Sequence, residues 1–298
     1  MFHIQEVSEK VIYVNILMFF SALMLLISLP YVLTYDPIKV TAFMLMGLVM
    51  STISIIVYYR KLEFLTAESV HISLFAVTLS YILNFYFNLP IFIPAIMFGL
   101  LIIYLSLYMV HRGLGQEKAS AVIVSSTSAL SVISIYYVLT TIPAQYSLSS
   151  IMLGDPLLLT RSDSLLAIFF SVALFFVVMI FLKEIIETSI DPVSASLTGI
   201  RVRFYDLVTY TAIGLSSIVF LRLAGYVMEH VLMLLPAIAS TFYSSSSREH
   251  VVNTLLLGVS ASAAGFAASI YLNTAPTGLT GVIVLITFII GFTWRRKK

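Results

Sequence analysis

Four ionisable side chains sit inside long apolar runs of this chain: Glu68 and His71, then Glu229 and His230. An ionisable group in hydrocarbon costs at least a few kcal/mol, so such residues usually face an internal pathway or a partner. Glu68 and His71 are three residues apart, which puts them on one face of a helix. Glu229 and His230 are adjacent and diverge by about 100° on a regular helix. Imidazole plus carboxylate is a ligand set suited to Zn²⁺ or Mn²⁺, with the neutral ring nitrogen as donor. Plainer readings stand beside this one. Glu68, close to Arg60, Lys61 and Glu63, is also placed to stabilise a helix N-terminus. His71 fits a hydrogen-bonded packing role, and Glu229 and His230 fit a membrane interface.

A second concentration of chemistry runs from Lys183 to Arg203, KEIIETSIDPVSASLTGIRVR, the longest polar interruption of the apolar sequence. Asp191 precedes Pro192, and Gly199 follows a run of small residues, a pattern for a short helix with a defined start and stop. The Asp191 carboxylate is placed to accept the free amide donors of a first turn. Such a helix between two spans is a docking handle for a soluble partner. A solvated loop with no partner is the alternative.

The elements that must position these groups are membrane spans. With 60% hydrophobic and only 10% charged residues, the chain falls far below the roughly 25% charged content of soluble domains. Ten apolar segments approach the roughly 20 residues a helix needs to cross a bilayer. They cover about 11–33, 40–58, 66–87, 90–110, 119–142, 164–182, 206–224, 226–243, 249–272 and 277–294. The eighth is short and begins with charge, as a broken or re-entrant piece would. With both termini in the cytoplasm, 13 of the 16 Lys and Arg fall inside, 2 outside and Arg222 within a span. That bias follows the positive-inside rule. It places 183–203 on the cytoplasmic side and makes 143–163, with Asp155, Arg161 and Asp163, the longest outer loop. It also sets Glu68 and His71 toward the inner side and Glu229 and His230 toward the outer, as two stations on one pathway. We therefore expect an all-α polytopic membrane protein, one transmembrane domain over 1–298 in a cell membrane.

Several function classes recede. There is no cysteine, which removes thiolate sites, and no GxxxxGK[ST] loop, so the chain has no recognisable means of using ATP itself. No GxSxG or HExxH appears, and no enzyme constellation can be pointed to. A net charge of +2 gives no reason to expect nucleic acid. No cleavable signal peptide is evident.

Five stretches, in order and spanning roughly 58 to 281, resemble the permease subunits of zinc/manganese/iron ABC importers. YYRKLEFLTAESVHISLFAV resembles that family's RRLSFLGDALSHAxLxG segment, with Arg60, Lys61, Leu62, Phe64, Leu65 and His71 on its pattern. IMLGDPLLLTRSD resembles its LFGDxLxxxxxD piece. Asp191, Ala195 and Gly199 fall on the D, A and G of its coupling motif. GYVMEHVLMLLPAIAS resembles GxLLVxALLxxPAAxA through Gly225, Leu232, Pro236, Ala237 and Ala239. SIYLNTAPTG resembles SxxLDxPTG through Ser269, Leu272, Pro276, Thr277 and Gly278. The chain departs where the family's Gly-Asp pair is Thr66-Ala67, with Glu68 one residue later as a stand-in. It departs again where Glu229 and His230 replace apolar residues.

The resemblance implies a helical permease similar in architecture to cobalamin and siderophore permeases. It implies a homodimer with two cytoplasmic ATPase subunits, an external metal-binding protein, and a coupling helix at about 187–203 that docks on the ATPase. The transported ion would be zinc, manganese or iron, with no cofactor bound permanently. A proton-coupled secondary transporter working alone, with the same Glu and His residues as a relay, is the alternative from another class.

Overall fold

The computed structural model describes residues 2–142 and 159–295, with side chains from residue 17 onward except at 222, 227 and 295. Among these residues the regular structure is helical. The long helices are α1 (Phe2–Thr34), α2 (Pro37–Arg60), α3 (Glu63–Phe87), α4 (Phe92–His111), α5 (Gln116–Thr141) and α6 (Arg161–Ile190). The short α7 (Pro192–Leu197) leads to α8 (Val202–Ser240), a 3₁₀ turn at Thr241–Tyr243, α9 (Ser247–Leu272) and α10 (Pro276–Arg295). Ten stretches are long and apolar enough to cross a membrane, because α8 contributes two, Val202–Leu221 and Leu223–Tyr243. The expected count and order hold. Most of the outer loop, including Asp155 and the IMLGDPLL motif, lies outside the described residues.

The chain forms two compact units, one from Met1–Tyr58, Asp155–Phe175 and Val231–Lys298, the other from Tyr59–Gly154 and Phe176–His230. In the first, α2 and α9 approach through small residues spaced four apart on each helix. A Cβ on Gly47 would meet Ser262 and lie 3.0 Å from the Gly258 carbonyl, while one on Gly258 would meet Ser51 and lie 2.8 Å from the Gly47 carbonyl. Lipid tails are as apolar as leucine, so membrane helices gain from such close packing and not from apolar burial alone. Pro236 lacks an amide donor and disturbs α8. Ser54 Oγ accepts from the Ala237 amide at 3.1 Å and donates to Leu234 O at 3.2 Å. His250 Nε2 lies 2.8 Å from the Ala237 carbonyl. The start of α9 is held by Ser246, which accepts from the Glu249 amide, while the Glu249 carboxylate accepts from the Ser245 amide at 2.8 Å. This is a capping box shifted by one residue.

The second unit is built on α3, which packs against both α4 and α5. Val70, Val77 and Tyr81 of α3 meet Ala95, Val138, Ile218 and Leu221 in its core. A Cβ at Gly214 would come 2.9 Å from the tip of the Ile103 side chain, so glycine there lets α4 pack close. Pro276 opens α10 and Asn273 closes α9 in the left-handed region, which gives the SxxLDxPTG-like stretch a structural meaning. Thr277 is buried, but a Cβ at Gly278 would meet nothing within 4 Å.

Candidate functional site

The two limbs of α8 explain how the charged residues meet. Gly225 has φ 79° and ψ 163°, a conformation open to glycine and strained for other residues. On an unbroken helix Ser217 and Glu229 would be about 18 Å apart. Instead the Ser217 hydroxyl donates directly to Glu229 Oε1, so the chain reverses at Gly225. Ser73 of α3 completes the contact, with its Oγ 2.9 Å from that of Ser217.

Beside this triad, the ring of Tyr226 packs on two imidazoles. His230 lies at 5.1 Å between centroids with rings tilted by 31°, and His71 at 6.2 Å in an edge-to-face arrangement. His71 Nδ1 is 3.1 Å from Ser128 Oγ on α5, which leaves its other ring nitrogen for a ligand. Glu229 is fully buried, and its Oε2 has no hydrogen-bond partner; nor does Nδ1 of His230. Such orphaned atoms in a dry interior are costly unless something visits them. The cluster thus brings one carboxylate and two imidazoles into one locality on α3 and α8.

His71, Glu229 and His230 therefore share one locality, where the two-station reading had separated them. The reason is depth. His71 is about 12 Å along α3 from Glu63, and Glu229 is tied through Ser217 to Ser73, two residues further along α3, so both sit at a similar distance from the start of that helix. Glu68 stays apart from that group. It is fully buried, accepts from Ser120 Oγ at 2.5 Å, and leaves Oε1 unpartnered. A directed chain leads to it: Tyr210 donates to Gln116 Oε1, Gln116 Nε2 donates to Ser120 at 3.2 Å, and Ser120 donates to Glu68. Among the described residues no three His, Asp or Glu converge closely enough to hold a metal ion as they stand. A bound cation would need water, a second copy or a rearrangement of Tyr226 to complete its shell.

The sequence missed Tyr226, Ser217 and the Tyr210–Gln116 relay. Tyr226 had a local signal, since it lies four residues before His230 on the same helical face. Ser217 had none, because its contact depends on the reversal.

The polar middle stretch forms a second site. Asp191 accepts from the amides of Val193 at 3.1 Å and Ser194 at 3.0 Å and from the Ser194 hydroxyl at 2.5 Å. The Ser194 hydroxyl and amide, then the Val193 amide, hold the Asp191 carboxyl below the usual carboxylate range. At the other end of α7, the Ile200 amide reaches the Ala195 carbonyl at 3.0 Å and the Gly199 amide reaches Ser196 at 3.1 Å. With Gly199 at φ 89°, this is the Schellman closure that favours glycine. Ala195 is the buried residue of the helix, while Ile190, Val193 and Leu197 are 72%, 67% and 83% exposed. A groove of about 380 Å³ runs beside them, lined by Glu187, Asp191, Ser194 and Thr198 among others. A six-residue helix fixed at both ends and showing apolar side chains is preformed for contact.

Residues 38–295 match the ABC 3 transport family. The manganese import system permease protein ScaB of Streptococcus parasanguinis is 27% identical over 257 residues, 85% of this chain and 89% of that protein. ScaB of Streptococcus gordonii is 25% identical, over 83% and 86% of the two chains. The fold is similar to that of a chain in the structure of PsaBC from Streptococcus pneumoniae in complex with Fab. That similarity has a TM-score of 0.75 and 22% identity, over 89% of this chain and 94% of the other.

Proposed function

Since the chain belongs to the ABC 3 transport family, we propose that it is the permease subunit of an ABC importer for a divalent transition-metal ion, manganese before zinc or iron. The observation that carries the reading is the group of fully buried Glu229 and half-buried His71 and His230, with a carboxylate oxygen and a ring nitrogen left unsatisfied. Few, mixed ligands suit a path in which an ion must shed water and still leave. The names of the streptococcal relatives favour manganese.

In this reading residues 1–298 act as one permease domain, paired with a second copy, in the cell membrane with both termini in the cytoplasm. Two ATPase subunits dock on the coupling helix at about 187–203, which Asp191, Ala195 and Gly199 shape, through the exposed side chains beside them. An external metal-binding protein delivers the ion. The permease itself catalyses nothing; ATP hydrolysis belongs to the separate subunits. Pro236 and Pro276 serve structure and not the ion.

The test is uptake into vesicles holding the purified chain with and without its ATPase, scanned over Mn²⁺, Zn²⁺ and Fe²⁺. Uptake that requires the ATPase supports the proposal. Uptake by the chain alone, driven by a proton gradient, would replace it with the secondary-transporter reading.

A further inference from the structure

A single guanidinium holds both legs of the coupling helix. Arg60, the last residue of α2, donates through one terminal nitrogen to Asp206 Oδ1 and through the other to Thr188 Oγ1, at 2.6 Å for the latter. Thr188 lies three residues before Asp191, at the end of the leg that enters α7. Asp206 lies in the first turn or so of α8, on the leg that leaves it. His111, at the end of α4, approaches the other Asp206 oxygen at 3.4 Å. The Arg60 side chain is 9% exposed, so this fork is held in partial shelter from water, where charged pairs weaken less than at an open surface. Arginine suits the place because its planar fork presents two donors in fixed directions.

The anchor point also matters. Arg60 is joined through Lys61, in the left-handed region at φ 54°, to α3, which carries Glu68 and His71. Asp206 lies one turn before Tyr210, the head of the relay that ends on Glu68. A push on α7 thus meets a rigid fork whose base is the corner that starts the ion-path helix.

We propose that Arg60 is the positioning residue that makes the two legs of the coupling helix move as one body and delivers that motion to α3. This deepens the permease reading and rests on it. Arg60 touches no transported ion. Its task is to keep ATP hydrolysis from being spent without transport.

The experiment uses the full complex in vesicles and reads ions imported per ATP hydrolysed. Arg60→Gln is expected to keep the ATPase bound and hydrolysing within about twofold, while uptake per ATP falls at least fivefold. Thr188→Val removes one contact at nearly constant volume and is expected to give a smaller fall, so it carries the test if Arg60→Gln fails to assemble. Because the chain has no cysteine, Ile190→Cys with Arg203→Cys allows spin labels on the two legs of the purified chain before the ATPase is added. Their separation should stay constant across nucleotide states in the parent and broaden in Arg60→Gln. Unchanged uptake per ATP in both variants, or legs that stay locked without Arg60, would overturn the proposal. A parent complex with no ATP-dependent uptake would take down the permease reading and this inference together, an outcome readable before any variant is made.

Discussion

Replacing Gly199 isolates the backbone requirement of α7, the proposed coupling helix. Its φ is +89°, and a Cβ built there meets nothing within 4 Å. Any cost of substitution therefore comes from the dihedral and not from a clash. A left-handed conformation costs an ordinary L-residue about 1–2 kcal/mol, and less for asparagine, whose side chain satisfies itself locally. α7 has only six residues, far below the length at which a helix persists alone, so its closure depends on the Asp191 cap and the Gly199 turn together. If the ATPase recognises only the closed form, roughly 1–2 kcal/mol becomes about a 5- to 30-fold loss of affinity. The expected order of affinity is Gly, then Asn, then Ala, with Val weakest because its β-branch restricts it further. The assay is titration of purified ATPase against detergent-solubilised permease variants, with hydrogen exchange over 191–200 as the companion measurement. Gly199→Val binding as tightly as the parent, with unchanged exchange, would refute the link between this turn and docking.

Glu229→Gln and His71→Ala are each expected to lower metal uptake at least tenfold in cells lacking their own importer, with the protein still in the membrane; unchanged uptake by both would remove them from the pathway. Gly258→Val places carbon on Ser51 and against the Gly47 carbonyl, an overpacking cost of about 1–3 kcal/mol. A lowered melting temperature should follow, whereas Gly278→Ala, with open space around it, should melt like the parent. Asp191 has a depressed folded-state pKa, so its cap is complete above the unfolded value of about 3.9 and is lost only as pH falls through the lower folded value. ATPase docking should therefore be flat from pH 8 to 5, and a step within that range would assign the docking determinant to another group.

The sequence by itself determined the class, the number of spans and the chemistry at stake. Hydrophobic runs near bilayer length leave a chain few choices, since only helices satisfy their own backbone in lipid. The cap at Asp191 and the turn at Gly199 were legible for the same reason, because they depend on residues within a single turn. What the sequence left undecided was adjacency. The distance between Glu229 and α3 depends on a reversal at one glycine, and a glycine's dihedral is not encoded by its neighbours' hydrophobicity. Arg60 reaches Thr188 across 128 positions and Asp206 across 146, pairings that periodicity cannot indicate. Local patterns specify local hydrogen bonds; only the packed helices decide which buried polar groups, costly when left alone, find one another.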